Sequence, residues 1–173
     1  MYPKAYIQYL VHFHADRDYF ECHELLEEHW KEDPRGKRKR HWAGLIQIAV
    51  SLYHHRRQNF KGAERMMKHA IANLESEKKA IQQLGLSYEQ LLQMLHTYVT
   101  AIQSHSAYVS IHLPIIDPHL EQLCLKECQQ QGLQWKSTSN FLHEHLIHKH
   151  MLRDRSDVIH ERLQQMEKRR QRP

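Results

Sequence analysis

Apolar residues recur every three or four positions along most of the chain, which is the spacing of one buried face of an α-helix. This pattern predicts about five core helices, over residues 18–32, 41–57, 59–85, 87–102 and 118–131. The second of them is apolar on almost every side, which is typical of a helix at the centre of a bundle. We therefore predict an all-α protein built as a helical bundle.

Residues with known capping preferences stand at the ends of these predicted helices. Asp16 or Asp18 can cap the start of the first, and Pro34 ends it because the residue before a proline avoids the helical conformation. Ser87 precedes the fourth helix as the first residue of a capping box. Gly132 suits the left-handed position that closes the fifth.

The character of the chain changes twice towards its C-terminus. Residues 104–116 contain a proline and several β-branched side chains, so we predict an extended connection there. Beyond residue 134 the chain is dense in histidine and arginine and poor in aliphatic residues. We therefore divide it into a helical bundle domain, residues 1–134, and an appended His/Arg-rich helical tail, residues 135–173.

The composition excludes several classes of protein. Only 5 of the 173 residues are Gly and 5 are Pro, which argues against collagen, low-complexity sequence and a turn-rich β-sandwich. No run approaches the roughly 18 apolar residues of a membrane-spanning helix, and the N-terminus shows no signal-peptide pattern. The 3 cysteines make an odd number, which is typical of reduced thiols. We expect a cytoplasmic protein with no membrane partner.

Two of the predicted helices place polar side chains next to an apolar stripe. On a wheel at ~100° per residue, His23 and Glu27 lie beside the stripe of the first helix, one turn apart. Gln47 and His54 share one face of the second helix, and Gly44 would let another helix approach closely. If the two helices pack antiparallel, as a short connection favours, the four side chains meet in one polar cluster.

This cluster has three interpretations. A hydrogen-bond network that fixes helix register is the first, since a buried polar group without a partner costs ~1–3 kcal/mol. A divalent-metal site centred on His23, Glu27 and His54 is the second, because two imidazoles and a carboxylate suit Zn or Fe. A general acid–base pair is the third. The wheel places Glu24 away from the stripe. The cluster candidates are His23, Glu24, Glu27, Trp30, Gln47 and His54.

Two short segments are strongly basic. One is the predicted loop before the second helix, and the other ends the chain. Such segments neutralise phosphates and bind nucleic acid without reading its sequence. The alternative is a solvated loop that aids solubility. The nucleic-acid candidates are Arg35, Lys37, Arg38, Lys39, Arg40, Lys168, Arg169, Arg170 and Arg172.

Three blocks of sequence together resemble a known family. They are Tyr19–Trp30 (YFECHELLEEHW), Gly44–His54 (GLIQIAVSLYH) and Asn59–Ala63 (NFKGA). Their order and spacing resemble the signature of the bacterial domain-of-unknown-function family 309, over about residues 16–75. The resemblance implies a small all-helical bundle. It implies no activity, because the family is named for lacking one.

These observations favour a non-enzymatic cytoplasmic interaction module with a buried His/Glu/Gln network. The His23–Glu27 spacing lacks the second histidine of the metalloprotease motif His-Glu-x-x-His, so no reaction is indicated. One alternative is a metal-binding protein or metal-dependent enzyme centred on His23, Glu27 and His54. The second is nucleic-acid binding through the basic segments. For the interaction module we expect no cofactor, and for the metal-binding alternative we expect a divalent metal. The expected partner is an acidic protein or nucleic acid.

Overall fold

The computed structural model describes residues 1–138 and 147–149, and these residues form an all-α protein, as predicted. The helices of this part of the chain are α1 (Lys4–His14), α2 (Tyr19–Glu32), α3 (Arg40–Arg56), α4 (Phe60–Leu74), α5 (Lys78–Gln83), α6 (Tyr88–Gln103) and α7 (Pro118–Gln131). None of the described helices is both long enough and apolar enough to cross a membrane.

Four predicted helices are confirmed, since α2, α3, α6 and α7 begin and end within one residue of their predicted ranges. Asp18 caps α2, because its carboxylate accepts the backbone N–H of Glu21 at 3.0 Å. Ser87 caps α6 in the same way, accepting from the backbone of Gln90 at 3.4 Å. Gly132 closes α7 with a φ of +67°, a conformation that glycine adopts without strain.

The predicted helix over 59–85 is wrong in one respect, because the chain breaks it into α4 and α5. α4 ends at Leu74, and the backbone N–H of Glu77 donates to the carbonyl of Leu74 in the turn that follows (2.9 Å). Ile81 is as deeply buried as Leu74. The apolar pattern therefore continues across the turn, and neither glycine nor proline marks the break.

α1 is the described helix that the apolar pattern did not predict. It buries Tyr6, Tyr9, Leu10, Val11 and Phe13 against α2 and α7. No side chain caps its start, so the sequence carries no capping signal for it.

α3 lies at the centre of the bundle, between α2 and α4. It runs antiparallel to α2, as predicted: the rings of Phe20 and Tyr53 lie 6.2 Å apart at one end of the pair, and those of His29 and Trp42 lie 5.2 Å apart at the other. The pairing brings the His54 end of α3 beside the start of α2.

α3 and α4 approach each other closely at Gly44. A Cβ at Gly44 would stand 2.5 Å from Cγ of Leu74, so any larger side chain would overlap the buried leucine. Further along, the Ser51 hydroxyl donates to the carbonyl of Ala63 at 2.7 Å. Gly44 thus permits the close approach that its sequence position predicted, and the approaching helix is α4.

The connection from α6 to α7 is extended, as predicted, and is fixed to the N-terminal part of the chain. Nε2 of His14 accepts the backbone N–H of Leu113 at 2.9 Å, while its Nδ1 faces the carbonyl of Leu10 at 2.9 Å. The ring is buried, and this desolvation lowers the pKa of His14 to about 3. A neutral imidazole with one donor and one acceptor satisfies both contacts.

Arg17 is fully buried in the turn between α1 and α2, at 1% exposure. Its guanidinium donates to the carbonyls of Phe13 (2.8 Å), Ile111 (2.8 Å) and Ser137 (2.9 Å). These acceptors come from α1, from the extended connection and from the segment after α7. One side chain therefore joins three parts of the chain that are distant in sequence.

The predicted boundary at residue 134 stays a prediction, because most of residues 135–173 lie outside the described part of the chain. The tail residues that are described lie against the bundle. The Trp135 ring stands 4.8 Å from that of His14, and the Lys149 ammonium lies 3.1 Å from a carboxylate oxygen of Glu21.

Candidate metal centre and adjoining cavity

Three side chains capable of binding a metal converge on one side of α2. His23, Glu24 and Glu27 each offer one ligand atom, and these three atoms all lie within 4.8 Å of one another. The residues occupy one turn of a helix whose start is fixed by the Asp18 cap. We name this group the α2 cluster.

The contacts inside the α2 cluster centre on the imidazole of His23. Its Nδ1 lies 3.0 Å from a carboxylate oxygen of Glu24, and its Nε2 lies 3.7 Å from one of Glu27. The three side chains are half-buried, with exposures of 29%, 35% and 31% in sequence order. The wheel places Glu24 away from the apolar stripe, and its carboxylate nevertheless reaches the imidazole of His23 because the two side chains are adjacent on the helix edge.

The donor set fits a divalent transition metal. One imidazole nitrogen and two carboxylate oxygens suit Zn²⁺, Fe²⁺ or Mn²⁺, with positions left for water or another ligand. Two ligands at ~2.1 Å from one ion are at most ~4.2 Å apart, so the side chains need to move by less than about 1 Å to close on it. Lys31 competes with the ion, since its ammonium lies 3.0 Å from Glu27.

A cavity of about 180 Å³ adjoins the α2 cluster between α2 and α3. His23 lines it from α2 and His54 from α3, so the structure brings these two predicted residues to the same cavity. Three aromatic rings supply most of the remaining wall, together with Val50 and Arg57; they belong to Tyr19, Phe20 and Tyr53. The guanidinium of Arg57 lies over the Tyr53 ring, 5.5 Å from its centroid.

His54 faces this cavity as a base of reduced strength. Partial burial lowers its pKa, and the nearby positive charges of Arg57 and Arg65 lower it further. The imidazole is therefore neutral near pH 7, and the lone pair of its Nδ1 accepts the side-chain N–H of Asn59 at 3.1 Å.

Two of the predicted cluster residues lie elsewhere. Gln47 accepts the side-chain N–H of Asn73 on α4 at 2.9 Å, so it joins α3 to α4 rather than to the α2 cluster. Trp30 donates its indole N–H to the carbonyl of Lys39 at 3.1 Å and fixes the loop after α2. The predicted buried His/Glu/Gln network is therefore wrong: its histidine and glutamate are half-exposed, and its glutamine faces another helix.

Comparison with known proteins identifies the family. Residues 6–66 match the model of DUF309, a domain of unknown function. The chain is also 54% identical over 169 residues to the uncharacterized protein YpuF of Bacillus subtilis, covering 98% of this chain and 97% of that protein. The chain belongs to the DUF309 family. No solved structure matches it.

The DUF309 segment contains the candidate metal centre. Residues 6–66 run from α1 into α4 and include all of the α2 cluster and His54. They begin and end about ten residues earlier than the predicted 16–75, because α1 belongs to the matched segment. α6 and α7 complete the bundle and lie outside the segment that matches the DUF309 model.

The predicted basic loop is used in part for packing. Arg38 lies over the Trp30 ring, 4.7 Å from its centroid, and Arg40 donates to the carbonyl of Ala72 at 2.9 Å. The other three cations of the loop are exposed; they are Arg35, Lys37 and Lys39. The second basic run, Lys168, Arg169, Arg170 and Arg172, lies outside the described residues.

Sequence patterns gave no indication of several residues of this site. No binding role was predicted for Tyr19, Phe20, Tyr53 or Arg57, which line the cavity. One sequence signal could have indicated these cavity residues. Histidine and arginine stand next to aromatic residues at the ends of two predicted helices that face each other when the helices pack antiparallel.

Proposed function

We propose that this DUF309 chain is a cytoplasmic, non-enzymatic interaction module that binds a divalent cation through the α2 cluster. The observation that carries the proposal is the convergence of one imidazole nitrogen and two carboxylate oxygens within 4.8 Å. Three protein ligands leave part of the coordination sphere of the ion open. A carboxylate of an acidic partner protein can fill it, so the ion serves as the contact point.

The state of the described cysteines supports binding rather than covalent catalysis. Cys22, Cys124 and Cys128 are buried. Burial raises the pKa of Cys124 to about 12 and that of Cys128 to about 11, and it also raises the pKa of Cys22. A thiol is nucleophilic only as the thiolate, so these three side chains are packing groups.

The test is calorimetric titration of tag-free, chelator-treated full-length protein with Mn²⁺. Manganese prefers carboxylate ligands, so it discriminates against adventitious binding to the many other histidines. We expect one equivalent to bind, and we expect Glu24→Gln and Glu27→Gln each to weaken it at least tenfold. Even outer-sphere partners of a metal contribute about 10- to 100-fold.

His29→Ala combined with Glu32→Gln is the matched control. These residues form another His–Glu pair on α2, with 3.0 Å between ring nitrogen and carboxylate. The control should leave Mn²⁺ affinity unchanged. Absence of binding, or an equal loss in the control, would refute the proposal.

A metal-dependent enzyme centred on His23, Glu27 and His54 is the second candidate. The cavity that His23 and His54 both line favours it, since the neutral imidazole of His54 can ligate the ion or accept a proton once Nδ1 releases the Asn59 N–H. His54→Ala separates the candidates. A tenfold loss of Mn²⁺ affinity would make His54 a ligand and favour the second candidate, whereas unchanged affinity favours the module.

A further inference from the structure

The exposed face of α4 presents a row of cations. Lys61, Arg65 and Lys68 are exposed and lie at positions i, i+4 and i+7, which places them on one side of the helix over about 10 Å. Lys61 and Arg65 form no ion pair with another described residue, whereas Lys68 pairs with Glu64 at 2.7 Å. Two of the three positive charges are therefore uncompensated.

Arg40, the last cation of the basic segment before α3, lies at the far end of this row. Arg40 anchors the loop, because its guanidinium donates to the carbonyl of Ala72 (2.9 Å) and to the side-chain oxygen of Asn73 (3.2 Å) near the end of α4. Arg40 therefore lies beside the C-terminal end of α4, and Lys39 directly precedes it in the chain. Arg35, Lys37 and Lys39 are exposed, whereas Arg38 lies over the Trp30 ring; none of the four forms an ion pair with a described residue.

The composition of this surface favours a polyanion over a folded protein or a lipid bilayer. The large exposed apolar residues of the described chain lie on other segments; they are Met1, Val109, Ile116 and Leu125. Protein interfaces depend on buried apolar and aromatic anchors, and amphipathic membrane helices need an apolar face. A row of cations on a regular helix instead matches the repeating charge of a nucleic-acid backbone.

We propose that Lys61, Arg65 and Lys68, together with Lys39 beside the end of α4, form one basic face that binds the phosphate backbone of duplex nucleic acid without reading its sequence. This activity goes beyond the cation site and does not require it. This basic face differs from the nucleic-acid site that the sequence suggested. Arg38 and Arg40 are held by Trp30 and Ala72, and α4 supplies the other charges apart from that of Lys39.

The test measures how the affinity of the full-length protein for a fluorescent 20-base-pair DNA depends on salt, by anisotropy. Each phosphate contact contributes about 0.9 to the slope of log affinity against log salt. Replacing Lys61 and Arg65 with Gln should therefore flatten the slope by about 1.8. Raising the salt from 50 to 200 mM should therefore reduce the affinity of this variant by about 12-fold less than it reduces the affinity of the unmodified protein.

Lys4→Gln combined with Lys126→Gln is the matched control, since it removes the same charge from exposed positions on α1 and α7. The C-terminal basic run stays in every variant, so the difference between the two double variants reports on the basic face. The proposal fails if both flatten the slope equally, or if no duplex binds at 50 mM salt. It also fails if the Lys61/Arg65 variant loses binding to phosphatidylserine vesicles but not to DNA.

Discussion

Replacing Gly44 with alanine tests how tightly α3 and α4 pack. The added Cβ would stand 2.5 and 2.6 Å from two side-chain carbons of Leu74, far inside van der Waals contact. Leu74 is completely buried and cannot rotate away freely. Overpacking of this kind costs about 1–3 kcal/mol, while alanine gains about 1 kcal/mol over glycine in a helix. Because three leucine carbons are involved, we expect a net loss of about 2 kcal/mol.

The same substitution should become stabilising once Leu74 is shortened. Leu74→Ala alone should cost about 3 kcal/mol through the cavity it leaves. In that background the Cβ at position 44 no longer meets the three leucine carbons, so Gly44→Ala should gain about 1 kcal/mol from helix propensity. The sign of the effect therefore reverses, with a coupling energy of about 3 kcal/mol.

Urea unfolding of the four proteins, followed by far-ultraviolet circular dichroism, measures this coupling. The midpoint shifts give the free energies if the slopes stay constant. Additivity within about 0.5 kcal/mol would refute the reasoning, because it would mean that residues 44 and 74 do not touch.

Three further predictions concern titratable side chains. Because the pKa of His14 is about 3 when folded and ~6.5 when unfolded, the unfolded state takes up a proton first as the pH falls. Urea melts should therefore show a loss of about 2 kcal/mol from pH 7 to pH 5 that is largely absent in His14→Gln. Glu27→Gln should change the free energy of unfolding by less than about 1 kcal/mol, since Glu27 is half-exposed; a loss above 2 kcal/mol would contradict that placement. The three buried cysteines should resist a thiol reagent at pH 8 and react fully in denaturant, and rapid labelling of the native protein would show that they are accessible.

The sequence was most informative where a local signal and the tertiary structure agree. The Asp18 and Ser87 caps and Gly132 fix helix ends through backbone groups a few residues away, so their effects are visible in sequence. α1 was not predicted because no side chain caps it. The break after Leu74 was not predicted because both helices direct their apolar residues into the same core.

The sequence predicted which residues of the candidate site share a helix face, but it did not predict which helix that face contacts. The helical wheel correctly placed His23 beside Glu27, since that contact lies within one helix. It could place Gln47 on a polar face but could not determine which helix meets that face, and the partner is Asn73 of α4. Contacts between helices depend on how far each rotates about its axis, which the apolar stripe defines only coarsely.

The three carbonyls that Arg17 binds determine how early the nascent chain can fold on the ribosome. Only Phe13 is synthesised before the arginine; Ile111 and Ser137 follow about 90 and 120 residues later. Until both have emerged, burial of this guanidinium lacks two of its hydrogen bonds, which opposes docking of the turn. The segment of residues 6–66 should therefore not reach its native packing when it is expressed alone. We therefore expect α1 and α2 to become stably packed only after α7, the last helix that the structure describes, has been translated.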